Sequence, residues 1–172
     1  DPVSLHELVR RGESMEHGHA GALDAWAAAA PGPMWFECGT SRPLPVRLNA
    51  VLVIADTGAP GGRRRAVERA RGELERDPAR AGRLLARAAF ITIGGARDLA
   101  AGRACALGEK LTDFHTVLDD LGVSTAALDR MVAIALAAGA LGAKLTGGGL
   151  GGCVLALAER PSNAERVSNA LL

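Results

Sequence analysis

A run of glycines late in the chain is the segment best suited to chemistry. Residues 144–153 read KLTGGGLGGC, and five of the six residues before the cysteine are glycine. A loop without side-chain bulk lets backbone N–H groups approach an anion closely, as phosphate binding requires. We therefore predict a phosphate-binding loop at residues 147–152.

The sequence leaves other interpretations of this loop open. A flexible hairpin or linker has the same composition, but the apolar segments 141–145 and 153–158 flank the loop and favour a position between two buried strands. The glycines also fit G-x-G-x-x-G, yet the residues that follow predict a strand where a dinucleotide fold needs a helix. A Walker A loop is excluded, because Cys153 stands where lysine must follow the last glycine.

Composition and charge limit the classes of partner. The chain has 172 residues, of which 48% are hydrophobic and 23% charged, as in a globular protein with a sizeable core. A net charge of +1 argues against a nucleic-acid partner, and no apolar run reaches membrane-spanning length. The three cysteines, at 38, 105 and 153, favour a reducing cytoplasm over disulfides or a metal site.

Apolar periodicity indicates the elements that position the loop. Strands are expected at residues 34–38 and 44–55, followed by a basic helix over 63–76. A helix that resumes near Ala79 is expected to bend or break at Gly94 and Gly95.

The second half of the sequence predicts helix, helix, strand, loop, strand and helix. Gly122 is expected to close the first of these helices, and Ser124 to be the N-cap of the next. The last helix begins near Ser162. This order favours an α+β fold, with an antiparallel sheet and helices packed on one face.

Three segments together resemble the mevalonate kinases of the GHMP kinase superfamily. They are HGHAGALDA at residues 17–25, LVIADTG at 52–58 and AKLTGGGLGGC at 143–153, in that order. The resemblance covers nearly the whole chain. It implies a ferredoxin-like antiparallel sheet with helices, the GHMP C-terminal domain, at residues 61–172. Residues 1–60 would be the tail of the N-terminal domain.

The resemblance also implies an activity, the ATP-dependent phosphorylation of mevalonate to phosphomevalonate in isoprenoid biosynthesis, with Mg²⁺. Asp24 matches the family's catalytic carboxylate beside the substrate hydroxyl, although a helix-terminus acid is the alternative. His115 matches a histidine that is common in the family, and a histidine of the core is the alternative. Arg63 is close to the sequence position at which the family often has Thr or Ser. The expected substrate and phosphate residues are Lys144, Thr146, Gly147, Gly148, Gly149, Gly151 and Gly152.

The family's Gly/Ser-rich ATP loop does not occur in this sequence. The resemblance therefore implies a truncated C-terminal portion, inactive alone, with most Mg²⁺ ligands outside the chain. His17 and His19 are weak evidence for a metal, and we predict no metal ligands. Another GHMP small-molecule kinase (for phosphomevalonate or homoserine) and a non-catalytic, dimerising remnant are the alternatives. We expect a cytoplasmic protein with a small-molecule substrate and no membrane partner, and the sequence leaves a homodimer open.

Overall fold

The computed structural model of the chain describes Ala27, residues 30–38 and residues 40–172. The chain divides into two compact units, Asp1–Val46 and Arg47–Leu172. In the first unit, strands β1 (Met34–Glu37) and β2 (Thr40–Pro43) pair in antiparallel fashion. The sequence predicts β1 but misses β2, because the TSRP segment is polar and ends in proline.

The second unit contains three strands and five helices. In chain order they are β3 (Val51–Asp56), α1 (Arg63–Arg76), α2 (Pro78–Ala101), α3 (Ala104–Asp120), α4 (Ala126–Ala137), β4 (Gly142–Thr146), β5 (Cys153–Ala158) and α5 (Pro161–Leu171). None of the described helices is both long and apolar enough to cross a membrane. The domain boundary expected between residues 60 and 61 stays a prediction; β3, which precedes it, pairs with β5, which follows it.

The three strands form an antiparallel sheet in the order β3-β5-β4. Its register aligns Asp56, Cys153 and Thr146 in one row, at the end of the sheet from which the glycine loop leaves. The core joins one face of β4 and β5 to α4 and α5; its buried members include Leu128, Val132, Ala135, Ala143, Leu145, Val154, Ala156 and Val167. The predicted α+β arrangement with an antiparallel sheet is thus confirmed.

Helix α3 covers the free edge of β4. Thr112 Oγ1 accepts a hydrogen bond from Ala143 N at 3.3 Å, and His115 Nδ1 accepts one from Leu145 N at 3.3 Å. Edge N–H groups that would otherwise lack partners are satisfied in this way. The helix reaches the strand only because Gly142 has no side chain, since a Cβ there would overlap the backbone of α3.

Helices α2 and α3 share a buried ion-pair cluster. Asp98 is 2% exposed, and its carboxylate lies 2.6 Å from Lys110 Nζ and 2.6 Å from an Arg103 guanidinium nitrogen. Burial raises the pKa of Asp98, but the hydrogen bonds and charges of Lys110 and Arg103 outweigh it and hold that pKa below its ordinary value.

The predicted break in α2 is wrong, since this helix runs unbroken from Pro78 to Ala101. Gly94 lies at the contact with α3, where a Cβ would be 2.6 Å from Lys110 Cε and would require the flexible end of that side chain to shift.

Two other boundaries differ from the prediction. The strand expected from residue 44 begins at Val51, because Pro45 has no N–H to donate to a ladder. The N-cap of α4 is Thr125, whose Oγ1 accepts a hydrogen bond from Leu128 N, and not Ser124.

Candidate functional site

The glycine loop, residues 147–152, connects β4 to β5 and lines a cleft of about 340 Å³. Its backbone is left-handed at five positions, with φ of +85° at Gly147, +86° at Gly149 and +58° at Leu150 among them. Side chains disfavour this conformation, so the loop needs glycine at most of these positions. The cleft-lining residues are Gly61, Arg63, Thr146, Gly147, Gly148, Gly149, Gly151, Gly152 and Cys153.

A turn segment, residues 57–62, forms the opposite wall and is hydrogen-bonded to the loop. The N–H and hydroxyl of Thr57 both donate to Gly152 O, at 2.9 and 2.8 Å. Gly152 N donates to Ala59 O at 2.9 Å, and Gly62 N donates to Gly149 O at 3.3 Å. These bonds bring the predicted LVIADTG segment beside the glycine loop and fix the two walls relative to each other.

Helix α1 begins at the cleft with an unusual distribution of charge. Its N-cap is Gly62, no side chain caps its first turn, and that turn contains no acidic residue. Arg63, its first residue, lines the cleft and is the one arginine or lysine among the lining residues. Because free N–H groups and the helix dipole give an N-terminus partial positive charge, this wall favours an anion.

The back of the loop packs against the connection between α3 and α4. Leu150 N donates to Val123 O at 2.8 Å. A Cβ on Gly149 would overlap that same carbonyl oxygen. Gly148 faces the other wall, where a Cβ would lie 3.0 Å from Arg63 Cα. The loop is therefore held between two surfaces, and its glycines serve close packing as well as backbone conformation.

Thr146 and the five expected glycines line the cleft, but Lys144 does not. Lys144 Nζ donates to Leu145 O at 2.6 Å and lies 5.7 Å from the centre of the Phe114 ring. Burial lowers the pKa of this ammonium, because a charged group loses solvation there. Sequence reasoning omitted Arg63 and Cys153 from the expected site, although Arg63 is close to the DTG segment in sequence.

His115 contacts both the sheet and α4. It is 9% exposed, and its Nε2 lies 3.2 Å from Asp129 Oδ1. Ser124 Oγ donates to the same oxygen at 2.5 Å. Sequence reasoning identified His115 through the family resemblance but did not connect it with Ser124 or Asp129, which lie five positions apart across the start of α4.

Asp24, His17 and His19 lie outside the residues that the structure describes. Within the described part of the chain, no group of three or more His, Cys, Asp and Glu residues could hold a metal ion. The cleft lining contains the Thr146 hydroxyl but no carboxylate, so these residues supply no ligand set for Mg²⁺.

The fold agrees with the similarity of this chain to known proteins. Residues 96–172 match the family model described as the C-terminal domain of GHMP kinases, and the chain belongs to this family. It is 32% identical to the mevalonate kinase of Pyrococcus horikoshii over 98% of its own length and 52% of that protein's. The chain thus spans about half the length of this relative.

Two other comparisons bear on fold and substrate class. The galactokinase of Chloroflexus aggregans is 44% identical over 78 residues, which are 44% of this chain and 19% of that protein. The structure of Leishmania major mevalonate kinase in complex with R-mevalonate superposes with a TM-score of 0.89, at 24% identity, over 99% of this chain and 54% of that one. The fold of the chain is therefore that of the corresponding part of a mevalonate kinase.

Proposed function

We propose that this chain belongs to an ATP-dependent kinase that transfers the γ-phosphoryl group to the primary alcohol of mevalonate. The cleft between the glycine loop and the start of α1 carries the proposal. Phosphoryl transfer depends on positioning and on stabilisation of negative charge, and a pocket of glycine backbone beside a helix N-terminus provides both.

The lining residues fit a phosphate group. Glycines bring backbone close to its oxygens, and Arg63 contributes positive charge at this wall of the cleft. The Thr146 hydroxyl adds a neutral donor at the end of β4. No carboxylate in the lining repels the anion.

We assign the proton-handling role to Asp24, on the resemblance of its segment to the family's catalytic one. Its carboxylate would orient or deprotonate the alcohol that attacks the phosphoryl group. In the intact protein, Asp24→Asn should lower kcat by about 10²-fold or more and leave ATP affinity nearly unchanged. A near-normal kcat would remove Asp24 from the mechanism.

Galactose phosphorylation is a second candidate, because the galactokinase match has the higher local identity, 44%. That match covers 44% of the chain, whereas the mevalonate kinase match covers 98%. The longer match includes the regions on both sides of the cleft, so mevalonate is the preferred acceptor.

The decisive experiment measures phosphoryl transfer by the intact protein with mevalonate, phosphomevalonate, homoserine and galactose offered separately. We expect the highest kcat/KM with mevalonate. A preference for another acceptor would overturn the substrate assignment, and no transfer to any of them would favour the non-catalytic alternative. Arg63→Ala, with Arg64→Ala as the matched control outside the cleft lining, should raise the ATP KM. Equal KM values for the two variants would exclude the cleft as the phosphate site.

A further inference from the structure

A chain of contacts behind the glycine loop links the strand before it to the loop itself. At the strand, Leu145 N donates to His115 Nδ1 at 3.3 Å. His115 Nε2 in turn lies 3.2 Å from Asp129 Oδ1. This side chain thus connects the edge of β4 to the first turn of α4.

The contacts continue from Asp129 to the middle of the loop. Ser124 Oγ donates to Asp129 Oδ1 at 2.5 Å. The residue before it, Val123, accepts the hydrogen bond from Leu150 N at 2.8 Å. Leu145, two residues before the loop, is therefore connected to the Asp129 carboxylate through His115. Leu150, inside the loop, is connected to the same carboxylate through Val123 and its neighbour Ser124.

The geometry fixes the proton on the imidazole. Nδ1 accepts the Leu145 N–H, so that nitrogen carries no proton. The proton of the neutral ring is then on Nε2, which donates to Asp129. A doubly protonated ring would lose the acceptor for Leu145, so this tautomer is required for the bond to the strand.

The three residue types are those of a hydrolase triad, but their order is different. In a hydrolase, the imidazole lies between the serine and the carboxylate and takes the serine proton. Here the Asp129 carboxylate lies between Ser124 and His115. Ser124 therefore has no imidazole beside it to take its proton, and the arrangement serves to hold backbone in place.

We infer that Ser124, Asp129 and His115 form a positioning brace for the glycine loop, which sets the loop geometry for phosphate binding. The inference rests on the proposed function for its phosphate ligand. The brace residues do not line the cleft, so they act through the backbone at Leu145 and Leu150.

One pair of variants tests the contact at the strand in the ¹⁵N-labelled 172-residue chain. In His115→Asn, the amide oxygen replaces Nδ1 as acceptor, whereas His115→Gln carries its amide to the Nε2 end. Amide exchange at Leu145 should be at least about tenfold faster in the Gln variant than in the Asn variant. In the unaltered chain, ring ¹⁵N spectra should show an unprotonated Nδ1. Equal exchange rates, or a protonated Nδ1, would overturn the inference.

A second set of variants tests the loop, with inorganic pyrophosphate as the probe. Asp129→Ala and Ser124→Ala should shift the amide signals of the loop and weaken pyrophosphate binding by about tenfold. Asp119→Ala, an exposed carboxylate near the end of α3, is the control for charge and should change neither. The brace is refuted if the loop signals and the affinity of Asp129→Ala match those of the control. Failure of the intact protein to bind pyrophosphate would overturn the proposed function, and the loop signals of the 172-residue chain would still decide the brace.

Discussion

Alanine substitutions at two glycines of the loop should differ in cost, although the φ angles of the two residues are nearly equal. Gly147 has φ of +85° and Gly149 has φ of +86°, so alanine at either position adopts a left-handed conformation. That conformation costs about 1–2 kcal/mol for a residue with a side chain. Around Gly147 no other atom lies within 4 Å of an added Cβ, whereas at Gly149 the added Cβ overlaps Val123 O.

The difference between the two variants isolates the packing of the loop on the α3–α4 connection. Overpacking adds about 1–3 kcal/mol, and displacement of Val123 O weakens its bond to Leu150 N by about 1 kcal/mol. We therefore expect a loss in unfolding free energy of about 1–2 kcal/mol for Gly147→Ala and about 3–6 kcal/mol for Gly149→Ala. Each kcal/mol corresponds to roughly 4 °C in Tm for a domain of this size.

Urea denaturation followed by circular dichroism measures both values on the same chain. An unchanged m-value would show that the native state is affected rather than the compactness of the unfolded state. The reasoning is refuted if the two variants lose equal stability, because the loop would then not rest on Val123. The same two proteins, titrated with pyrophosphate, report whether the loop conformation also matters for binding.

Three further predictions concern other parts of the fold. Gly142→Ala should lower the unfolding free energy by about 3 kcal/mol or more, because it forces β4 away from α3. Gly82→Ala, on an open helix face, should raise it by about 0.5–1 kcal/mol. Thermal melts that shift Tm in the same direction for both variants would contradict this. Asp98→Asn should lower the unfolding free energy by about 3 kcal/mol near pH 7, whereas Asp119→Asn should not. Because the pKa of Asp98 is lowered in the folded state, its contribution to stability is full above the unfolded pKa and is lost as pH falls through the folded pKa. A stability difference between Asp98→Asn and the unaltered chain that persists unchanged at low pH would refute this. Because the pKa of Lys144 is lowered, the folded state binds the ammonium proton less strongly than the unfolded state does. The unaltered chain should therefore gain stability relative to Lys144→Met as pH rises toward 10.5. Parallel curves of stability against pH for the two proteins would contradict this prediction.

The local elements of the second unit could largely be predicted from the sequence. The helix over residues 63–76 and the strand–loop–strand order around the glycines depend on periodicity and on glycine content, which are properties of short segments. The errors arose where a distant partner decides the local structure. Gly94 resembles a helix breaker until α3 is seen to pack against it. Ser124 resembles an N-cap until its hydroxyl is seen to donate a hydrogen bond to Asp129.

The site could be predicted in part for the same reason. The glycines were apparent because their composition is unusual, whereas the opposite wall of the cleft lies about 90 residues earlier in the chain. Nothing local relates Thr57 to Gly152, and only the register of β3 against β5 brings them together. Lys144 illustrates the opposite case, since its place beside the glycines in sequence does not bring its ammonium into the cleft.

The start of α1 carries a concentration of positive charge that the proposed phosphate ligand would favour. Arg63, Arg64 and Arg65 occupy a helix N-terminus that has no acidic residue and no side-chain cap, and the helix dipole disfavours positive charge there by about 0.3–1 kcal/mol per residue. Natural sequences are locally consistent except where a function requires otherwise. A phosphate in the cleft would interact favourably with this helix terminus. The positive charge at the start of α1 therefore agrees with the proposed anion site.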